Sequence, residues 1–181
     1  MTKNGTIDEF AGFFHVKPGK ADELRQAISD FLNSPARKSS ALLAEATVVT
    51  GIHDIRLTIF DDDTRLLFAT TFDTDWEPYV DDSLRFMTGV WPWGHFLQYT
   101  EEAPEGIEEK GRITAAQAKE LLNTIRVQAA GYDNSFGDLT ARNIQKMQKV
   151  MAAFEEVLDD PEASAALSHP ALKPLLDLAD E

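Results

Sequence analysis

The sequence contains no cysteine, which excludes disulfide bonds, thiolate zinc sites and cysteine nucleophiles. It also lacks any apolar run approaching the ~20 residues that a membrane-spanning helix needs. Its amino terminus has no basic segment followed by an apolar segment, so no secretory signal peptide is indicated. These absences lead us to expect a cytoplasmic protein that does not enter a membrane.

Basic residues are scarce: 17 Lys and Arg stand against 31 Asp and Glu, which gives a formal net charge of −14. Binding to nucleic acid requires clustered Lys and Arg that neutralise phosphates, so we expect no nucleic-acid partner. The 43% of hydrophobic residues is typical of a soluble globular protein. We therefore expect a single domain over residues 1–181, with a core at about 8–158 and a helical tail at 159–181.

Motifs for metals and cofactors are missing as well. The four histidines are scattered without the spacing of a zinc site, and no H-E-x-x-H segment is present. The acidic run at 61–63 lacks the glycine and distal glutamate of an EF-hand loop, and is expected to be a solvated turn. No glycine-rich phosphate loop, nucleotide-binding fingerprint or G-x-S-x-G segment occurs. We expect neither a metal nor a cofactor.

The clearest structural pattern spans residues 50–84. Hydrophobic residues alternate with others through Ile55–Phe60, four polar residues follow, and a second β-type run extends over Leu66–Phe72. So short a polar break between two strands favours a hairpin of antiparallel neighbours. Thr74 and Glu77 then form a capping box, which predicts an amphipathic helix immediately after the hairpin.

Periodicity predicts further elements on both sides of this region. The remaining strands are expected at Phe10–Val16 and Arg126–Tyr132, and the remaining helices at Lys20–Leu32, Ala115–Thr124 and Leu139–Leu158. Thr114 and Gln117 make a second capping box. Residues 41–46 are expected to add a helical turn, and Thr47–Thr50 to form a short strand or extend the next one.

This order of elements predicts an α+β fold: a β-α-β-β-α-β antiparallel sheet with helices on one face and extra C-terminal helices. Apolar side chains point to both sides of the strands at 10–16 and 65–72, so the second face of the sheet also needs a cover. The economical cover is a second copy of the chain, which would make a homodimer. The C-terminal helix is the competing cover.

Several segments resemble a known superfamily. FFHVKPGKADELRQAI resembles the first strand, Pro-Gly turn and helix of ferredoxin-like proteins that pair as dimeric α+β barrels. Four further segments are similar to a poorly characterised group of that superfamily, so that the resemblance spans about residues 10–158. They are IHDIRLTIFDD, RLLFATTFDTDWEPYVDDSL, the Gly-Val-Trp loop and the D-L-T-A-R-N-I helix opening. The superfamily includes cofactor-free monooxygenases, small isomerases and lyases, and haem enzymes. The resemblance implies a dimeric barrel with a site between sheet and helices or inside the barrel.

Two histidines are candidate general bases, because the ordinary pKa of imidazole lies near neutrality. His15 lies in the first predicted strand, where it could equally be hydrogen-bonded within the sheet or at a dimer seam. His53 precedes the hairpin beside Asp54, but neighbours in a strand point to opposite faces, which weakens that pairing. Arg56 could bind the carboxylate of a substrate, or it could be a surface charge or part of a structural ion pair.

The densest aromatic cluster is the segment GVWPWGHF. Trp91, Trp93 and His95 are candidates for lining a ligand pocket, since such pockets are commonly lined by aromatic side chains. The same tryptophans could instead pin a loop to the core or form an oligomer contact. Tyr132 is a further candidate ligand contact, although the polar residues after it favour a strand end and a turn.

The leading hypothesis is a dimeric protein that binds a small organic molecule, with acid–base or cofactor-free oxygen chemistry if it is an enzyme. His15 or His53 would act as the base. Arg56 would bind an anion, and Trp91 and Trp93 would form the pocket walls. The alternative is a non-catalytic interaction or assembly module, in which the aromatic loop contacts another protein. A haem-dependent peroxidase-like protein is disfavoured, because the peroxidases' Gly-x-x-x-Asp-Gly motif is absent.

Overall fold

The computed structural model describes residues 7–90, 94–107, 113–137 and 139–179. Trp91 and Trp93, two of the candidate pocket residues, lie outside the described residues. The chain divides into two compact units, Met1–Arg142 and Asn143–Glu181. The first unit holds the strands β1 (Asp8–His15), β2 (Ile52–Phe60), β3 (Arg65–Phe72) and β4 (Arg126–Val127).

The four strands form one antiparallel sheet in the order β2-β3-β1-β4. β1 and β3 pair along their whole length, from Asp8 opposite Phe72 to His15 opposite Arg65. The predicted hairpin of β2 and β3 is confirmed, as is the α+β class at the level of an antiparallel sheet accompanied by helices. β1 is therefore an interior strand, with the hairpin on one side and β4 on the other.

The hairpin turn is made by the acidic run of the sequence. Asp61, Asp62 and Asp63 all have positive φ, at 56°, 49° and 69°. Asp tolerates this left-handed backbone better than most residues, because its short polar side chain can bond locally. Thr64 closes the turn, since its N–H and its hydroxyl donate to the Asp61 carbonyl at 3.1 and 2.6 Å. The run is thus an exposed turn.

Helices of the first unit cover one face of the sheet. They are α1 (Ala21–Leu32), α2 (Pro35–Lys38), α3 (Ser40–Thr50), α4 (Trp76–Val90), α5 (Gly94–Leu97) and α6 (Ala115–Ile125). Apolar residues from most of them meet buried strand residues such as Phe10, Phe14 and Phe72 in one core cluster. Aromatic rings fill this core: Phe10 stacks on Trp76 with ring centres 4.8 Å apart, and Phe72 stacks on Tyr79 at 3.8 Å.

The other face of the sheet, called the open face below, contributes no described residue to this core cluster. It carries Glu9, Ala11, Phe13 and His15 of β1, Arg65, Leu67, Ala69 and Thr71 of β3, Asp54, Arg56, Thr58 and Phe60 of β2, and Val127 of β4. Phe13 and Phe60 contact each other edge to face, with ring centres 6.1 Å apart. Phe60 and Val127 are exposed, so apolar surface remains on this face among its charged residues.

Thr47–Thr50 is helical, so the strand predicted there is wrong. α3 continues to Thr50, whose hydroxyl donates to the Ala46 carbonyl at 2.7 Å. Gly51 then ends the helix with a positive φ of 66°, and its N–H donates to the Thr47 carbonyl at 2.9 Å. The β-branched run Thr-Val-Val-Thr favours a strand locally, but helix continuity and the glycine stop outweigh that preference.

β4 is much shorter than the strand predicted at Arg126–Tyr132. Only Arg126 and Val127 pair with β1. At Ala129 the backbone N–H donates to the side chain of Glu9, at 3.2 Å, and not to a neighbouring strand. The chain therefore leaves the sheet after two paired residues.

Capping boxes in the sequence mark two helix starts. At α6 the predicted box is confirmed, because the side chains of Thr114 and Gln117 each accept the other's backbone N–H. α4 begins at Trp76, one residue later than the Thr74–Glu77 box predicts. Local polar pairs therefore locate both starts to within a residue.

The second unit is helical. α7 (Ala141–Leu158) enters it from the first unit and is followed by α8 (Ser164–Leu167), α9 (Lys173–Ala179) and 3-10 turns at Pro161–Ala163 and Pro170–Leu172. The long helix predicted at Leu139–Leu158 is confirmed with a slightly later start. Among the described residues, no helix combines the length and the hydropathy that a membrane span requires.

Candidate functional site

His15, the last residue of β1, is held by a glutamate from a distant segment. Its Nδ1 atom lies 2.6 Å from Oε1 of Glu102. The same carboxylate accepts the backbone N–H of His15 with both oxygens, at 3.1 and 3.0 Å. Because an ionised carboxylate only accepts hydrogen bonds, Nδ1 carries the proton and Nε2 is the basic nitrogen of the neutral ring. The side chain is 54% exposed, which leaves Nε2 accessible.

The backbone around Glu102 is anchored to the end of β1. Val16, the residue after His15, forms an isolated antiparallel bridge with Thr100. The N–H of Glu101 donates to the His15 carbonyl at 2.9 Å. These contacts extend the pairing of β1 beyond the sheet, and they place Glu102 beside the histidine.

A groove with a volume of about 470 Å³ opens beside His15. One side is the loop from His15 to Asp22, and the hairpin turn at 62–64 forms another part of the lining. Small-molecule sites in proteins are commonly concavities of roughly 300–1,000 Å³. The groove is therefore of a suitable size for a small ligand, and a fixed histidine contributes to its lining.

The charged lining of the groove is mainly acidic. It consists of Lys17, Asp22, Asp62, Asp63 and Glu101. Arg25 of α1 bonds Asp22 at 3.0 Å and also bonds Asp63, so the helix is tied to the hairpin turn. The pKa of Arg25 is raised by these carboxylates, chiefly by Asp63. A lining with excess negative charge favours neutral or cationic ligands over anions.

His53 lies at the end of the sheet opposite to His15. Its hydrogen-bond partner is Asp73, which is 20 residues away in the sequence. The pairing of β2 with β3 is irregular between Ile52 and Asp54, and such a bulge re-aims the side chain between them. Nε2 of His53 lies 2.6 Å from Oδ1 of Asp73, and both side chains are mostly buried. The neighbouring Asp54 instead accepts the hydroxyl of Thr71 at 3.1 Å.

Asp73 is fixed by further contacts. Its carboxylate accepts the backbone N–H of Ala141, at 3.1 and 2.9 Å, where α7 begins and where negative charge is stabilising. Its own N–H donates to the Gly51 carbonyl at 3.0 Å. A Cβ atom at position 51 would lie 2.9 Å from the Asp73 Cβ, so glycine is needed there for space as well as for its positive φ.

Tyr132 belongs to the same end of the sheet as His53. Burial raises the pKa of Tyr132, and the neighbouring carboxylates of Asp54, Glu9 and Asp8 add to that rise. The hydroxyl is therefore protonated at neutral pH and can donate a hydrogen bond. Two candidate residues thus share one carboxylate-rich end of the sheet.

The candidate residues lie in separate places on the sheet. His15 is opposite Arg65 at the start of β3, whereas His53 contacts Asp73, just after the end of β3. At about 3.3 Å per residue along a strand, these two ends are roughly 25 Å apart. Arg56 lies between them, exposed on the open face.

The predicted aromatic cluster is described only in part. His95 is exposed on α5, and its backbone carbonyl accepts the side-chain amide of Gln98 at 2.9 Å. Phe96 beside it is a core residue that packs against Phe31, with ring centres 5.9 Å apart. The pocket-lining roles predicted for Trp91 and Trp93 fall outside the described residues.

Sequence reasoning missed both carboxylates that hold the histidines. Glu102 is 87 residues from His15, in an acidic loop that offers no local pattern to single it out. Asp73 is 20 residues from His53 and did carry a signal. It follows a predicted strand whose hairpin partner begins near His53, so the register of the hairpin could have placed the two together.

The His15–Glu102 pair has the clearest chemical capacity. An imidazole fixed by a carboxylate on one nitrogen and accessible on the other can take a proton from a molecule in the groove or return one to it. Among the described residues, no group of three or more His, Asp or Glu side chains is arranged to hold a metal ion. No family model matches the sequence, no curated protein is significantly similar to it, and no solved structure matches its fold significantly.

Proposed function

We propose that this chain binds a small organic molecule in the groove beside His15 and transfers protons to and from it. The observation that carries the proposal is the His15–Glu102 pair beside a groove of about 470 Å³. Concave sites with a few fixed polar groups are the usual places where proteins bind small molecules. Neutral or cationic molecules suit the mainly acidic lining.

His15 is the acid–base group in this proposal, and Glu102 is its positioning residue. Glu102 fixes the tautomer and the orientation of the ring through Nδ1, so that Nε2 accepts a proton from the bound molecule. The negative charge of Glu102 then stabilises the imidazolium, which returns the proton to the product. No cofactor is required for this step.

We further propose that the sheet is ferredoxin-like and that two copies pair through their open faces as a dimeric barrel. The order β2-β3-β1-β4, with all neighbours antiparallel, supports the first part, because it is the order expected of a split β-α-β unit. The exposed Phe60 and Val127 support the second part, since a second copy would remove them from water. Arg56 would then line the space between the two sheets.

A fragment screen by NMR tests the binding proposal. We expect bound fragments to shift the signals of His15 and of groove residues such as Lys17 and Thr64. His15→Gln should weaken their binding roughly tenfold, because it removes the basic nitrogen that bonds them. Glu102→Gln should weaken binding less, since the imidazole remains but is no longer held by a charged acceptor.

His95→Gln is the matched control for this experiment. His95 is also an exposed histidine of the first unit, but it does not line the groove. Its replacement should leave fragment affinity unchanged. Fragments that bind equally well to the wild type and to His15→Gln would contradict the proposal.

A second candidate function is a non-catalytic assembly module. The open face favours it, because its exposed apolar residues, Phe60 and Val127, are a surface that another protein could cover. A chain that self-associates through this face but binds no fragment beside His15 would favour the second function over the first.

A further inference from the structure

A small void lies in the core between the sheet and α4. Its volume is about 10 Å³. The aromatic rings of Phe10 and Trp76 form part of its lining, and three hydroxyl-bearing residues, Thr70, Tyr79 and Ser83, form another part. All three are buried, so each hydroxyl depends on the protein interior for its hydrogen bonds.

Ser83 has a hydroxyl that the described residues do not satisfy. The residue is 3% exposed, and its Oγ makes no hydrogen bond to a described residue. A serine inside a helix can donate to the carbonyl four residues earlier, but Ser83 does not. It lies one helical turn after Tyr79, on the same side of α4, so both side chains reach the void.

Thr70 and Tyr79 are only loosely bonded to each other. The Thr70 hydroxyl donates to the Asp54 carbonyl at 2.7 Å, so its oxygen is left to accept. The Tyr79 hydroxyl lies 3.4 Å from that oxygen, at the long limit of a hydrogen bond. Burial raises the pKa of Tyr79, and the nearby hydroxyls of Thr70 and Ser83 oppose that rise only in part. Tyr79 therefore remains a donor.

We propose that the void holds one ordered water molecule that bridges the hydroxyls of Thr70, Tyr79 and Ser83. A void of about 10 Å³ has room for about one water and for nothing larger. A buried water needs about two to four polar partners, and the three hydroxyls supply them. The water accepts from Ser83 and Tyr79 and donates to Thr70, which satisfies the orphaned serine.

Such a water connects the sheet to α4 in a core whose other side chains are mainly aliphatic and aromatic. Its site is also too small for an organic molecule, so the described residues around it offer no ligand pocket between the sheet and α4. This inference does not depend on the proposed acid–base function. The two involve different residues and can fail separately.

The substitution Ser83→Ala tests whether the water is present, because its effect on stability has opposite signs in the two cases. In a dry void, alanine would remove an unsatisfied hydroxyl from a helix, and the midpoint of urea unfolding would rise. If the bridging water is in place, alanine removes one of the water's hydrogen-bond partners. We therefore expect the midpoint to fall by roughly 0.5 M urea.

Ser29→Ala is the matched control, because Ser29 is an exposed serine within α1, and its replacement reports the change in helix propensity together with the loss of one exposed contact from the Asn33 amide at 3.4 Å. A crystal structure of the full chain is the second measurement, and should show a water within hydrogen-bond distance of Ser83 Oγ and the Tyr79 hydroxyl. An empty void, or a Ser83→Ala midpoint equal to or above that of Ser29→Ala, would overturn the proposal.

Discussion

At the scale of single residues, we expect Tyr79 to make the fold less stable as the pH rises into the alkaline range. Its ring stacks on Phe72 at 3.8 Å, and burial raises its pKa above the usual value of about 10. The unfolded chain therefore releases the tyrosine proton at a lower pH than the folded chain does. The stability that this group contributes is complete below about pH 10 and is lost as the pH rises further.

Tyr79→Phe should remove this dependence. We expect the free energy of unfolding of the wild type to fall more steeply above about pH 10 than that of the variant, by at most about 1.4 kcal/mol per pH unit. Urea unfolding at a series of pH values measures both slopes, and tyrosinate absorbance follows the titration. Parallel curves for the two proteins would show that Tyr79 does not titrate with unfolding.

The sequence singles out the two candidate histidines, but it gives no local signal for Glu102, the partner of His15. His15 and His53 stand out because the ordinary pKa of histidine lies near neutrality and because they lie in and beside predicted strands. Glu102 becomes a partner of His15 only because Val16 and Thr100 pair beyond the sheet. That pairing is a long-range contact without a local pattern, so composition and spacing contain no trace of it.

At the scale of elements, the capping box at the start of α6 should contribute measurably to stability. Thr114→Ala removes a side-chain acceptor from the first turn and should lower the free energy of unfolding by about 1 kcal/mol. Thr124→Ala is the control in the same helix, because the Thr124 hydroxyl donates to the Glu120 carbonyl and caps nothing. Urea unfolding measures both variants. Equal losses would argue against a special role for the box.

Elements with strong local signals were predictable, and elements decided by distant contacts were not. The hairpin follows from two β-type runs around a polar turn, and α6 from its capping box. Thr47–Thr50 is helical although its β-branched residues favour a strand, and Gly51 ends that helix. β4 ends after two residues, and the backbone N–H of Ala129 bonds Glu9, far away in the sequence, and not a neighbouring strand.

At the scale of the whole molecule, the open face should decide the oligomeric state. We expect the wild type to sediment as a dimer and Phe60→Glu to sediment as a monomer, because the substitution removes an exposed ring that a second copy would cover and puts in its place a charge that pairing would have to desolvate. Sedimentation equilibrium measures both masses. Fragment binding beside His15 should persist in the monomer, since residues of a single chain line the groove.

Phe136→Glu is the control for that substitution. Phe136 is 77% exposed and lies outside the strands, so its replacement should leave the dimer intact. A wild-type chain that sediments as a monomer would contradict the barrel. A Phe60→Glu variant that remains a dimer would place the contact on another surface.

The sheet is completed by a contact between its first strand and a segment made much later. Gly12 pairs with Arg126, and Glu9 bonds the backbone of Ala129, 120 residues further along the chain. During translation, β1 and the hairpin are synthesised first, and the second edge of β1 stays unpaired until β4 has been synthesised. During that interval its free N–H and C=O groups can capture strands of neighbouring nascent chains. We therefore expect the nascent chain to be more prone to aggregation through β1 before Arg126 and Val127 are synthesised than after.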